Sequence, residues 1–145
     1  MSLTKAFETY ERPGLVVNYK VAAVKIYKGA AVGANALGFI VPMAHGTASL
    51  KFVGTANETV DNTGGGSGDK SVNVTKSGSF VFKAAAGFTP VLADVGKEVY
   101  ATSDWEVQTT NAGLTNSYKV GTVIAPETTS TGQPGYRVRI DNYSV

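Results

Sequence analysis

Turn formers punctuate this chain at roughly the 8–12-residue spacing of sandwiches and barrels, and between them no stretch sustains a helical period. Pro13-Gly14, Lys28-Gly29, the surroundings of Asn35, Gly78, Gly96 and Ser103-Asp104 each stop a short β-branched or aromatic run. A chain interrupted that often has room for short strands and for little helix. The expected fold is therefore all-β: a compact single-domain β-sandwich or barrel-like fold with at most one short helix and an extended N-terminal arm. The arm covers residues 1–14 and the β-rich domain residues 15–145. At 145 residues one such domain buries roughly 70% of its unfolded surface. No self-repeat of a solenoid or propeller is visible.

The expected strands follow from local pattern. Leu15 to Tyr19 and Val21 to Tyr27 are rich in β formers. Ala30 to Pro42 reads as a strand, a turn at Asn35 and a second strand ended by proline. Ser49 to Ala56 places Leu50 and Phe52 on one face, with Gly54 marking a bulge or close approach. Asp61 to Asp69 reads as a flexible, solvated loop. Ser71 to Thr75 and Ser79 to Lys83 flank Lys76-Ser77-Gly78, a hairpin-length connection containing glycine, and are expected to pair with each other. One helical turn is expected between Ala84 and Asp94. Val99 to Thr102 and Glu106 to Thr109 are expected to pair across Ser103-Asp104. Ser117 to Ile124 and Gly135 to Ile140 are the last strands, around a polar loop from Pro126 to Pro134. On the last strand Arg137 and Arg139 share one face and Tyr136, Val138 and Ile140 the other.

Composition narrows the functional classes. Charged residues are 17% and apolar ones 43%, below the usual charge content of soluble domains, so part of the surface is a candidate for coverage by a partner. The net charge of +2 comes from interspersed signs, which argues against a nucleic-acid partner. The absence of cysteine removes disulfides and thiolate chemistry and fits assembly in a reducing cytosol. No apolar signal core and no membrane-length apolar run is present, so neither secretion by a signal peptide nor a membrane partner is expected.

Few residues offer chemistry. Gly64-Gly65-Gly66-Ser67-Gly68-Asp69-Lys70-Ser71 nearly spells a phosphate loop, but Asp69 stands where glycine is needed and a strand follows where a helix should begin. Asp61 and Asp69 in the same loop lack the spacing of a calcium hand. His45 is the single histidine, and no nucleophile elbow accompanies it. Asp94, Glu98, Asp104 and Glu106 crowd the segment from Leu92 to Glu106, but Glu98 and Asp104 fall on opposite sides of an expected strand and turn, which argues against a glycosidase pair, and Asp94 and Asp104 sit where turns favour Asp. No catalytic residue, metal or cofactor is expected, and the chain is not expected to be an enzyme. Candidate interface residues are Leu3, Phe7, Tyr10 and Leu15 in and beside the arm, and Trp105, the single tryptophan, after a turn.

Three runs appear in order: Lys25 to Val32 (KIYKGAAV), Ala93 to Asp104 (ADVGKEVYATSD) and Lys119 to Val123 (KVGTV). Together with Phe52 to Ala56 and Gly78 to Phe82, they make the chain resemble the head decoration, or capsid cement, proteins of tailed bacteriophages, over about Lys25 to Ile140. That resemblance implies a structural protein made in the bacterial host cytoplasm. It adds to the outer surface of the virion capsid, commonly as a homotrimer, bridging major capsid protein subunits and stabilising the head. It carries no site residue over, because the shared residues are turns and strands, and the arm matches no family pattern. The reading from another class is a virion-surface carbohydrate-binding or adhesion module stacking Tyr118, Tyr136 and Trp105 on glycans.

Overall fold

The computed structural model describes Ala6 and residues 14–141. Of the arm, only Ala6 and Gly14 belong to this set, both exposed, so Leu3, Phe7 and Tyr10 lie outside the described residues. The strands are β1 (Val16–Lys20), β2 (Lys25–Ile26), β3 (Ala31–Ala34), β4 (Ile40–Pro42), β5 (Lys51–Ala56), β6 (Val60–Asp61), β7 (Ser71–Thr75), β8 (Ser77–Ala84), β9 (Glu98–Ala101), β10 (Glu106–Gln108), β11 (Lys119–Thr128) and β12 (Pro134–Asp141). One turn of 3-10 helix, Leu92–Asp94, precedes β9. The fold is all-β, as expected.

The C-terminal strands close into a barrel in the order β10-β8-β12-β11-β9. All its pairings are antiparallel except β10 with β8. A five-stranded barrel encloses little space, and small residues fill it. Val99, Ala101, Val107, Val120, Val123, Val138 and Ile140 pack around Phe82 and Tyr136. Along β12, Tyr136, Val138 and Ile140 are buried while Arg137 and Arg139 are exposed. Gly121 is required by close approach, since a side chain there would strike the Arg139 carbonyl on β12. The β11–β12 register shifts between Val123 and Ala125, and this bulge leaves Ile124 facing outward.

The N-terminal strands form an open sheet in the order β1-β7-β5-β3-β4, and β2 pairs with β6 beside it. Small residues again have a reason. Successive residues of β3 enter different cores: Ala31 joins the barrel cluster, and Val32 joins a second cluster with Val21, Ile26, Ile40, Val72 and Val74. Buried on both faces, β3 reads as a continuous apolar run rather than an alternating one. At Gly54 the φ of +146° and the Thr75 carbonyl of β7 leave no room for a side chain, confirming the close approach.

Several sequence expectations are corrected. Ser71–Thr75 and Ser77–Ala84 do not form a hairpin: β7 pairs with β1 and β5, whereas β8 pairs with β12 and β10. The short connection carries the chain from the open sheet to the barrel, because Val72 and Val74 belong to one core and Phe82 and Ala84 to the other. Val21 to Tyr27 is not one strand. Val21 makes an isolated bridge to Ile40, and pairing resumes only at Lys25–Ile26. The Asp61 to Asp69 stretch is not a loose loop, since Asn62 is 1% exposed and its amide donates to the carbonyls of Val21, Ala22 and Gly66. The polar loop before β12 is shorter than expected, because β11 runs on to Thr128.

Candidate interaction surface

Pro90 and the 3-10 turn bring the chain onto the barrel with its apolar side chains outward. Leu92 is 78% exposed, and Val91 and Val95 are exposed beside it. The turn is nonetheless fixed. The N–H groups of Asp94, Val95 and Lys97 donate to the carbonyls of Val91, Leu92 and Asp94. Gly96, at φ +88°, then lets its own N–H reach the Val123 carbonyl, while Val123 N–H donates to Lys97. This ties the turn to β11 next to the bulge that exposes Ile124.

Asp94 is the anchor under that turn. Only 5% exposed, it accepts from Lys97 Nζ at 2.9 Å and from Val91 N–H at 3.1 Å. Burial pushes its carboxyl up, but the bonds from Lys97, Val91 and the Tyr136 hydroxyl outweigh burial and hold it below the ordinary Asp value. Desolvation first, then the nearby Asp94 charge, raises the Tyr136 phenol. Asp94 thus does more than shape a turn: it joins the segment to β12.

At the far end of the segment the Ser103 hydroxyl accepts from the N–H groups of Trp105 and Glu106 at 3.4 and 3.3 Å. Thr102 closes the loop on the Glu106 carbonyl through both its N–H and its hydroxyl. Val107 faces Ala101 in the pairing expected across this turn. The Asp104 carbonyl accepts from Ala31 N–H at 2.7 Å, and the Trp105 carbonyl from Lys83 N–H at 3.0 Å, so the turn bridges sheet and barrel. Trp105 is 47% exposed with Lys83 Nζ 5.2 Å from its ring centroid, and Lys83 also pairs with Glu106. Asp104 is the electrostatic opposite of Asp94, because burial raises its carboxyl above the ordinary value.

The remaining acids are held by ordinary contacts. Glu98 is lowered by the hydrogen bond and charge of Lys119, with a further bond from Tyr100. Asp61 is lowered by bonds from the Thr63 hydroxyl and N–H. In the glycine loop, Asp69 accepts from Gly66 N–H at 2.8 Å and Lys70 Nζ donates to the Asp61 carbonyl at 2.6 Å. Both chemical groups of the near phosphate loop are thereby turned onto their own backbone. Among the described residues no three metal-ligating side chains gather.

His45 is half-buried. Its Nδ1 accepts from Thr115 N–H at 3.2 Å and its carbonyl from the Asn116 side chain at 2.8 Å, which staples two loops together. Of the three aromatics considered for glycan stacking, Tyr136 is 1% exposed. Tyr118 is half-buried, its hydroxyl donating to Thr47 and accepting from Leu50 N–H. Only Trp105 presents its ring. The described candidates Leu15 and Trp105 are both exposed, on the open sheet and at the sheet–barrel junction, and are not brought together. Sequence reasoning missed Val91, Leu92 and Val95. The available signal was three large apolar residues packed into a turn between Pro90 and Gly96.

No protein-family model matches the chain, and no curated protein matches it in sequence.

Proposed function

We propose that the chain is a structural virion protein that decorates and stabilises the outside of a phage capsid by binding across neighbouring major capsid protein subunits, and that it associates with itself there, as a trimer. The reading rests on the resemblance described above. The observation that carries it furthest is that the resembling segment, Ala93 to Asp104, lies between outward-facing Leu92 and Trp105 on a hydrogen-bonded frame. Large apolar side chains held rigidly in water mark contact surfaces, because burying them costs little further ordering. On a lattice, many identical weak contacts add through avidity.

The test is co-sedimentation of the purified full-length chain with undecorated phage heads. Saturable binding is expected, reduced at least ten-fold by Leu92→Asp or Trp105→Ala and abolished by deleting the residues before Gly14. Absence of binding, or binding unchanged in all three variants, overturns the proposal.

A further inference from the structure

The turn between β9 and β10 carries a charge that nothing else in the described chain answers. Asp61, Asp69 and Asp94 each accept from a neighbouring backbone N–H, as aspartates in turns commonly do. Asp104 does not. The N–H groups of Trp105 and Glu106 go to the Ser103 hydroxyl instead. Among the described residues the Asp104 carboxylate meets no cation and no donor from another residue, only its own N–H. The residue is half-buried, so part of its hydration is lost with no ion pair to offset the loss.

Beside it stands Trp105, with Lys83 Nζ 5.2 Å from its ring centroid, so the ring already accepts one cation. The Lys83 charge is matched by Glu106, which leaves Asp104 as the unmatched charge of the turn. The backbone that carries both residues is fixed, because the Asp104 carbonyl accepts from Ala31 N–H and the Trp105 carbonyl from Lys83 N–H. Little further ordering of the turn is needed on binding. A guanidinium suits such a pair: it is planar and weakly hydrated, stacks on aromatic faces and pairs with carboxylates. A charge that opposes folding of the free chain is also the kind that binding sites retain.

We propose that Asp104 and Trp105 receive an arginine side chain of the partner, its guanidinium paired with the carboxylate and laid against the ring. This names the chemistry that the partner presents to the surface described above, and it rests on the virion reading for the identity of that partner.

Trp105 is the single tryptophan, so its emission reports the site. The full-length chain is titrated with N-acetylarginine amide and, in parallel, with the neutral isostere N-acetylcitrulline amide, following Trp105 emission and the amide NMR signals of Asp104 and Trp105. Saturable shifts at millimolar concentration are expected with the arginine compound and not with citrulline. Asp104→Asn keeps the shape of the side chain and breaks no bond to another residue, so it leaves the fold intact. It is expected to weaken arginine binding about ten-fold. Glu98→Gln, whose carboxylate already pairs with Lys119, is expected to change nothing.

The same variants are co-sedimented with undecorated phage heads, where Asp104→Asn is expected to bind about ten-fold more weakly than the unaltered chain. The inference is overturned by no saturable response to the arginine compound, by an equal response to citrulline, or by binding of either target that Asp104→Asn leaves unchanged. Arginine binding by a chain that does not sediment with heads supports the cation site and overturns the virion reading instead.

Discussion

The barrel and the open sheet are built from the same short, β-branched strands, yet they end differently. In the barrel each strand pairs on both sides, so closure removes its edges. The sheet is not closed by a full ladder: β4 ends at Pro42, and it meets the end of β1 only through the Val21-Ala22 crossing on Ile40. Pairing alone therefore does not decide where a β protein is reactive. The barrel supplies rigidity, and its turns push large apolar side chains such as Leu92 and Trp105 outward, where a partner can reach them.

The largest effect that tests this contrast is a cavity in the barrel. Ile140→Ala, at a fully buried position, is expected to cost about 2–5 kcal/mol in chemical denaturation, whereas Val16→Ala at an exposed position of the end strand β1 stays within about 0.5 kcal/mol. Comparable losses would mean that the end strand is packed and the contrast false. Next, Asp94→Asn breaks the anchor between the Leu92 turn and the barrel, with an expected loss of about 1.5–3 kcal/mol for charge-assisted bonds. Asp94 is lowered in the folded state, so its contribution is present above the ordinary Asp value of about 3.9. It is lost as pH falls through the lower folded value, and the variant should lack that acid-limb dependence.

Asn62→Ala probes the sheet side. Removing its bonds to Val21, Ala22 and Gly66 is expected to cost about 1–3 kcal/mol and to raise amide exchange in the Asp61–Lys70 loop, leaving barrel amides unchanged. The smallest effect is opposite in sign. Asp104 is raised by burial, so its ionised form opposes folding, and the folded state gains stability as pH falls through the raised value towards the unfolded one. Asp104→Asn should therefore stabilise the neutral-pH protein by up to about 1 kcal/mol in thermal unfolding and remove that gain on acidification. Destabilisation would show that the carboxylate has a role at the sheet–barrel junction.

Much of the local structure was legible because it is local chemistry. Gly96 in a positive-φ turn, the 3-10 turn before it, Ser103-Asp104 closing β9 onto β10, and the alternation of Tyr136, Val138 and Ile140 against Arg137 and Arg139 all follow from backbone preference and period. Of the candidate surface, Trp105 and Leu15 were readable as exposed apolar residues. Leu92 and its neighbours were not, since an apolar triplet in a turn looks the same in sequence whether it points in or out.

Pairing partners were not legible. The period-two pattern of Ser71 to Thr75 and Ser79 to Lys83 is the same for a hairpin and for strands that part company at Lys76. Only the two separate cores send Val72 and Val74 one way and Phe82 and Ala84 the other. Likewise Asn62 in a glycine-rich run reads as solvated until distant backbone carbonyls are found around it. The sequence by itself determined that this chain makes short strands and where it turns, because those depend on steric preferences within a few residues. Tertiary structure alone decided which strands meet and how far Asp94 and Asp104 are withdrawn from water, because these depend on groups far apart in the chain that pack together.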